Sequence, residues 1–244
     1  MAEETNVLVN SDNDNGTQSA EWAPFDEIPA DKKVLMGAKD PLSGNMVASW
    51  EDAPVTPGVE FSAEPAEFTL LTNVRNLSVD IPEGVTEIAG DAFKGCAGLI
   101  SINIPESVTS ISYQAFVNCT GLASVTIPEG VTMINNFAFN NCTGLTEVIL
   151  HEGLTTLGSG VFYGCSSLEF IEFPEGVTSI GQNTFRDDTS LVSVVIPSTM
   201  TSIGQHSFRN CTSLEIIAIH KAEGSISGAP WGAPETTQII WTGE

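Results

Sequence analysis

The chain has 244 residues and a formal net charge of −23, because 31 Asp and Glu residues outnumber 8 Lys and Arg residues. This composition argues against nucleic acids and anionic membranes as partners, since both are bound through clustered Lys and Arg side chains. No apolar run of about 18 residues is present, which predicts no membrane insertion, and the polar start of the chain lacks the features of a secretory signal.

The N-terminal part changes in character along its length. Residues 1–20 are polar and predict a flexible arm. Residues 21–60 predict an attachment segment and linker, in which the stretches 33–37 and 45–50 form a β-hairpin around a turn at 40–44. A hairpin alone is marginal in water, so either a partner chain or the rest of the protein must cover it. The candidate anchoring residues of this segment are Trp22, Phe25, Ile28, Leu35, Met36, Met46 and Trp50.

A single motif then fills most of the chain. Residues 61–76 predict an N-terminal cap, and residues 77–214 carry six copies of the motif without an insertion, so that Phe116 and Phe139 are 23 residues apart. Alternating residues predict a short strand in each copy, and the spacing of Phe139 and Cys142 predicts a turn of α- or 3₁₀-helix. A repeat of roughly 20–29 residues rich in Leu and Ile is typical of a leucine-rich solenoid.

Stacked repeats place equivalent side chains above one another. Parallel strands lie about 4.8 Å apart, so each repeat position becomes a column that runs along the solenoid. The predicted fold is therefore a leucine-rich repeat solenoid with parallel strands on one face, and with turns and short 3₁₀ or α segments on the other. One column of its core consists of Phe93, Phe116, Phe139, Phe162, Phe185 and Phe208.

The cysteines share one repeat position, and Asp188 occupies that position in the fifth copy. An odd number of thiols in a single column predicts buried, unpaired cysteines rather than disulfides or a metal site. The column consists of Cys96, Cys119, Cys142, Cys165 and Cys211.

The last segment, residues 215–244, predicts a C-terminal cap. A final strand is expected at residues 216–219, and Trp231, Ile239, Ile240 and Trp241 are expected to cover it, because a solenoid must bury the apolar end of its last coil.

The repeat resembles the BspA-like leucine-rich repeats of bacterial surface proteins and of some protist and phage proteins. Ser124 to Leu145, SVTIPEGVTMINNFAFNNCTGL, is a clear copy, and the phrase SISGAPWG from Ser225 to Gly232 resembles the end cap of such arrays. The resemblance covers roughly Asn76 to Leu214 and implies binding or adhesion. It names no ligand.

The N-terminal segment resembles the attachment segments of phage fibre and capsid-decorating proteins, through Asp26-Glu27-Ile28-Pro29 and the phrase from Leu35 to Gly44. This resemblance implies a phage structural protein at the virion surface, which contacts other virion subunits through its N-terminal segment and displays the solenoid. The alternative is a bacterial cell-surface adhesin that lacks its signal peptide.

No catalytic motif is present, so we expect no enzymatic activity, cofactor or metal. The acidic stretch from Asp12 to Gly16 does not fit the calcium-loop pattern, because its glycine is misplaced and no later glutamate follows. A glutamate column is either a solvated edge that prevents aggregation or a cation-seeking stripe. It consists of Glu83, Glu106, Glu129, Glu152 and Glu175.

The outward positions of the repeated strand change in character along the solenoid. They are small and polar in the first three copies, whereas later copies add apolar residues. Exposed apolar side chains rimmed by acids are typical of a protein-binding patch, for which the partner is a host surface protein or glycan, or a second copy of the chain. Alternatively, the C-terminal cap or a neighbouring subunit covers the patch. The candidate binding residues are Ile149, Phe170, Glu172, Val195 and Ile216.

Overall fold

The computed structural model describes residues 6–12, 18–24, 33–39, 46–52, 77–81 and 83–243. Four strands precede the repeats: β1 (Asn6–Asp12), β2 (Gln18–Pro24), β3 (Lys33–Lys39) and β4 (Met46–Asp52).

The repeats form a parallel β-solenoid in which each coil adds a strand to two separate sides. The longer strands form the first side, whose outward surface we call the strand face. They are β5 (Leu77–Asp80), β7 (Leu99–Asn103), β9 (Ser124–Thr126), β11 (Glu147–Ile149), β13 (Phe170–Glu172), β15 (Ser193–Ile196), β17 (Ile216–Ile219) and β18 (Gln238–Trp241).

The second side is built from strands of two residues each. Equivalent residues of successive coils pair in register, so that Ile134 stands between Ile111 and Leu157. The strands of this side are β6 (Glu87–Ile88), β8 (Ser110–Ile111), β10 (Met133–Ile134), β12 (Thr156–Leu157), β14 (Ser179–Ile180) and β16 (Ser202–Ile203).

The third side consists of turns, and the predicted helical segments are not found in the described residues. The reason is a competing ladder of backbone hydrogen bonds between coils. Phe116 N–H donates to the Ala138 carbonyl at 2.7 Å, and Phe139 N–H donates to the Val161 carbonyl at 2.9 Å. A helix would require these N–H groups to bond four residues back in their own coil.

This ladder is accompanied by a left-handed backbone at two positions in every coil. The first position, that of Phe137, accepts several residue types, whereas the second, four residues later, is restricted. Asn141, for example, has φ +58°, and glycine, asparagine and aspartate adopt this conformation at the lowest cost. The sequence accordingly contains only these three residue types at that position: Gly95, Asn118, Asn141, Gly164, Asp187 and Asn210.

The predicted phenylalanine column is confirmed. The rings of Phe116 and Phe139 stack with centroids 4.9 Å apart and planes 2° from parallel, and the next pair, Phe139 and Phe162, lies 5.7 Å apart. Both sheets bury their inward residues against this column. Stacked coils therefore form one continuous apolar core, as a repeat that cannot bury its own apolar side requires.

The cysteine column is also buried, and its thiols are unpaired. Each thiol from the second coil onward donates to a backbone carbonyl of the preceding coil, as Cys165 Sγ does to Phe139 O at 3.2 Å. Burial raises the pKa of the Cys96 and Cys142 thiols to about 12. These cysteines act as small apolar side chains with a weak donor.

Asp188 interrupts this column with a carboxyl group that is fully buried. Neither carboxyl oxygen has a hydrogen-bond partner of good geometry, because the nearby N–H groups of Gly164 and Cys165 donate to other carbonyls. These two N–H groups still favour the charged carboxylate, but burial opposes them with a larger effect. Burial raises the pKa of the Asp188 carboxyl well above its usual 3.8. The fifth coil therefore contains a destabilising group in an otherwise apolar column.

The N-terminal strands form an antiparallel sheet in the order β2-β1-β3-β4, which joins the two sides of the solenoid. Its outer strands continue as parallel ladders, β2 with β5 and β4 with β6. The predicted hairpin is present as the antiparallel pair β3 and β4. By contrast, the arm predicted at residues 1–20 contains β1 and the start of β2. Strand β1 pairs with β2 and β3, and β2 pairs with the distant β5. The structure thus differs here from the flexible arm that the polar composition predicted. The predicted cap at residues 61–76 lies outside the described residues.

The C-terminal segment continues the coil geometry. Trp231 is buried, and its ring meets Phe208 edge to face at 6.5 Å, at the end of the phenylalanine column. Strand β18 pairs in parallel with β17. Ile239 and Trp241 pack against the core, whereas Ile240, which we expected in the cover, is exposed on the strand face.

Candidate binding surface

Two columns of outward side chains run along the strand face. Parallel registration creates them, because residue pairs such as Phe170 with Ser193 and Glu172 with Val195 stand directly opposite each other in neighbouring strands. The first column contains Ser78, Ser101, Ser124, Glu147, Phe170, Ser193, Ile216 and Gln238. The second contains Asp80, Asn103, Thr126, Ile149, Glu172, Val195, Ala218 and Ile240.

Most of the predicted binding residues are exposed on this face. The exposed fraction is 60% for Phe170, 48% for Ile149 and 39% for Val195, Glu172 is also exposed, and Ile216 is half-buried. A single exposed apolar side chain is ordinary on a protein surface, but a contiguous group of them marks an interaction site. The structure therefore brings all five residues together on one surface.

The apolar groups alternate between the two columns from coil to coil. Ile149 lies in the second column, Phe170 in the first, Val195 in the second, Ile216 in the first and Ile240 in the second. Diagonal neighbours in a sheet are about 7–8 Å apart. The result is a zigzag apolar ridge, and we keep this name for these five residues.

In the two coils where the ridge begins, the outward position that is not apolar is acidic. Glu147 shares strand β11 with Ile149, and Glu172 shares strand β13 with Phe170. Both glutamates are exposed. The ridge is thus flanked by carboxylates within its own two columns.

Sequence reasoning missed two exposed apolar residues, one beside this ridge and one within it. Val192 precedes β15 and is 41% exposed, and Ile240 lies one coil beyond Ile216. The signal for Ile240 was the alternation in β18: if Ile239 and Trp241 point inward, Ile240 must point outward. The C-terminal segment therefore extends the ridge and does not fold over it.

The first coils of the strand face contain a shallow polar hollow of about 360 Å³. Hydroxyl groups form part of its lining, and Ser101 Oγ donates to Ser78 Oγ at 2.7 Å. Two carboxylates, Asp80 and Glu106, also line it. The hollow and the apolar ridge occupy successive parts of one surface.

The glutamate column is held by backbone contacts. Glu106 Oε2 accepts the Glu129 N–H at 3.0 Å, and the Glu175 carboxylate accepts both the N–H and the hydroxyl of Ser198. The hydrogen bond from Ser198 lowers the pKa of the Glu175 carboxyl. These bonds offset part of the repulsion expected between stacked carboxylates.

His151 has a local structural role. It replaces a proline of the repeat, and its Nδ1 accepts the Gly153 N–H at 3.1 Å while its Nε2 lies 3.0 Å from the Val131 carbonyl oxygen. Among the described residues, no group of three or more His, Cys, Asp or Glu side chains could hold a metal ion. No helix in the described part of the chain is long and apolar enough to span a membrane.

The anchoring residues proposed from the sequence do not lie on a free edge of the sheet. Trp22, Leu35, Met36, Met46 and Trp50 belong to β2, β3 and β4, and each of these strands has a bonded neighbour on both sides. Phe25 and Ile28 lie outside the described residues. The edges of the hairpin are therefore paired with strands of the same chain, and the role of these residues in assembly stays a prediction.

Comparison with known proteins identifies the repeats. Residues 68–191 and 178–229 match the family model described as BspA type leucine rich repeat region, in six copies. A search of curated protein sequences finds no significant match. No similarity to phage proteins appears among the matches that we describe.

The fold is shared with a solved structure. The T. pallidum leucine-rich repeat protein TpLRR is 23% identical, with a TM-score of 0.62 over 82% of this chain and 88% of that protein. A leucine-rich repeat protein from Bacteroides ovatus is 24% identical, with a TM-score of 0.47 over 100% of this chain and 71% of that protein. A leucine-rich cell surface protein from Faecalibacterium prausnitzii is 24% identical, with a TM-score of 0.39 over 68% of this chain and 63% of that protein.

Proposed function

Because the chain belongs to the BspA-type leucine-rich repeat family, we propose that it is a non-enzymatic binding module, displayed at a bacterial cell surface, that holds a protein partner on its strand face. The observation that carries this proposal is the zigzag apolar ridge. Its side chains point away from the core although the same coils bury a complete apolar column on their inner side.

The energetics of the ridge support binding rather than folding. An apolar side chain contributes about 25 cal/mol per Å² when it is removed from water. Phe170 contributes little of this to the folded chain, since it is 60% exposed. A partner that covers Phe170 would remove the rest of this side chain from water, and that free energy would stabilise the complex. Large aromatic residues frequently contribute most of the binding energy at interfaces.

A position at the bacterial surface is supported by the family and by the kind of protein in which these repeats occur. The more specific prediction, a place in a phage particle, has only the short N-terminal resemblance in its favour. The pairing of β2 with β5 and of β4 with β6 leaves these two strands without a free edge to which an external strand could add. Antibody labelling of intact cells, compared with proteomics of purified particles, distinguishes the two locations.

The proposal is tested by Phe170→Asp. An exposed substitution should change the free energy of unfolding by about 0.5 kcal/mol or less, so circular dichroism and thermal unfolding should match the wild type. Binding to immobilised surface proteins, measured by biolayer interferometry, should weaken by about 2 kcal/mol or more, which is roughly 30-fold. Light scattering will show whether the bound partner is a second copy.

The matched control is Tyr113→Asp. Tyr113 is 50% exposed on a different side of the solenoid, so this variant has the same change in charge and a similar loss of aromatic surface. It should bind as the wild type does. Equal affinity of Phe170→Asp and the wild type, or equal loss in both variants, would contradict the proposal.

A further inference from the structure

We propose that the strand face binds a protein segment in which basic and apolar side chains alternate. This inference rests on the proposed function and names the class of partner. It follows from the arrangement of charge on the strand face, which differs from that on the rest of the solenoid.

Acidic and apolar groups form a checkerboard where the ridge begins. In β11 the pair is Glu147 and Ile149, whereas in β13 the order is reversed, with Phe170 followed by Glu172. Strand β11 contacts β13 without pairing to it. The 23-residue repeat places Phe170 one coil beyond Glu147 and Glu172 one coil beyond Ile149, so each apolar group is followed or preceded by a carboxylate at the same repeat position. Surfaces that bind are complementary in charge as well as in shape. A partner must therefore bring a positive group next to each apolar one.

The two columns contain no Lys or Arg. The basic side chains of the described solenoid, Lys94, Arg186, Arg209 and Lys221, lie outside these columns, and three of them contact other groups. Lys94 Nζ pairs with Asp91 at 3.1 Å, and Arg186 lies 5.5 Å from the centre of the Tyr163 ring. Lys221 Nζ donates to a backbone carbonyl at 2.8 Å. No basic side chain among the described residues pairs with Glu147 or Glu172, the two carboxylates of the checkerboard.

More acidic residues lie beside the ridge. The polar hollow makes the strand face acidic in the N-terminal coils as well. Glu169 and Glu215, directly before β13 and β17, are exposed. In the hollow, Asp80 and Glu106 lie among hydroxyl and amide groups that can accept hydrogen bonds from a guanidinium or ammonium group. An acidic or neutral segment would leave Glu147 and Glu172 without a counter-charge when it excluded water. A basic and apolar segment satisfies both parts of the face.

Three synthetic peptides of equal length test the inference: alternating Lys and Val, alternating Ser and Val, and alternating Glu and Val. Fluorescence anisotropy with the full chain should show binding of the Lys/Val peptide only. The Glu147→Gln/Glu172→Gln variant should bind it about two- to fivefold more weakly for each glutamate removed. Phe170→Ser should also weaken binding, and added salt should reduce the affinity.

The control separates a local site from general attraction to an acidic protein. Met133→Lys/Ser202→Lys raises the net charge by the same two units on the outer surface of β10 and β16, where both residues are exposed. It should bind the Lys/Val peptide as the wild type does. Equal weakening in the control and in the double glutamate variant would overturn the inference.

The remaining outcomes separate this inference from the proposed function. If the Ser/Val peptide binds as tightly as the Lys/Val peptide and Phe170→Ser abolishes both, the binding ridge stands and the basic partner is wrong. If Phe170→Ser changes the binding of no peptide, the ridge itself fails. No binding of the Lys/Val peptide at about 1 mM would also overturn the inference.

Discussion

Asp188 gives the sharpest test of how the solenoid is stabilised. Replacing it with cysteine restores the residue that occupies this position in the other coils. Both oxygens of the Asp188 carboxyl are buried without a hydrogen-bond partner, and such a group costs about 1–3 kcal/mol. We therefore expect Asp188→Cys to raise the free energy of unfolding at pH 7 by about 1–3 kcal/mol. For a chain of this size, each kcal/mol corresponds to about 2–4 °C in Tm.

The effect should depend on pH in a defined direction. Burial raises the pKa of the Asp188 carboxyl in the folded chain above its unfolded value of 3.8, so the folded state binds the proton more tightly. The stabilisation that comes from this tighter proton binding is complete below about pH 3.8. It is lost as pH rises through the pKa that the Asp188 carboxyl has in the folded state. The protonated carboxyl can also donate to the Phe162 carbonyl, 26 residues back, as Cys165 does to Phe139.

Urea unfolding of the wild type and Asp188→Cys between pH 4 and pH 8 measures this difference. The gap between the two free energies should be small at pH 4 and should widen toward neutral pH, whereas the other titrating groups cancel in the comparison. Parallel curves over the whole range, or a variant less stable at pH 7, would refute the reasoning.

Three further predictions concern the core. Phe139→Ala should lower the free energy of unfolding by about 3–5 kcal/mol, because it leaves a cavity in the ring column, and denaturant titration measures this loss. Native Cys142 should resist thiol-reactive labelling and react only after unfolding, since burial raises its pKa to about 12; rapid labelling of the folded chain would contradict this. Gly176→Ala should destabilise by about 1–3 kcal/mol, because its new Cβ would overlap the Glu152 carbonyl oxygen, and an unchanged Tm would show that the turn can move.

The periodic core could be predicted from the sequence because the repeat is unbroken, so every coil adopts the same backbone conformation and buries the same positions. Phe116 and Phe139 had to stack once their spacing and the parallel strands were given, and the observed 4.9 Å follows. The exposed positions of Ile149 and Phe170 followed from strand alternation in the same way. Local periodicity was therefore enough to predict the fold and most of the exposed residues of the strand face.

Features that depend on bonds between distant residues could not be predicted in this way. The spacing of Phe139 and Cys142 fits a helical turn, but the Phe139 N–H donates to the next coil and a turn results. The pairing of β2 with β5 joins residues 18–20 to residues 77–79, and no local pattern encodes that partnership. The polar composition of residues 1–20 therefore gave the wrong expectation for β1.

The N-terminal sheet has a consequence for self-assembly. A parallel solenoid exposes at each end a row of backbone donors and acceptors that could accept the coil of another molecule, and identical coils would then polymerise end to end into fibrils. Strands β2 and β4 occupy both rows of the first coil at once. The N-terminal strands thus act as a terminator that blocks head-to-tail growth at this end.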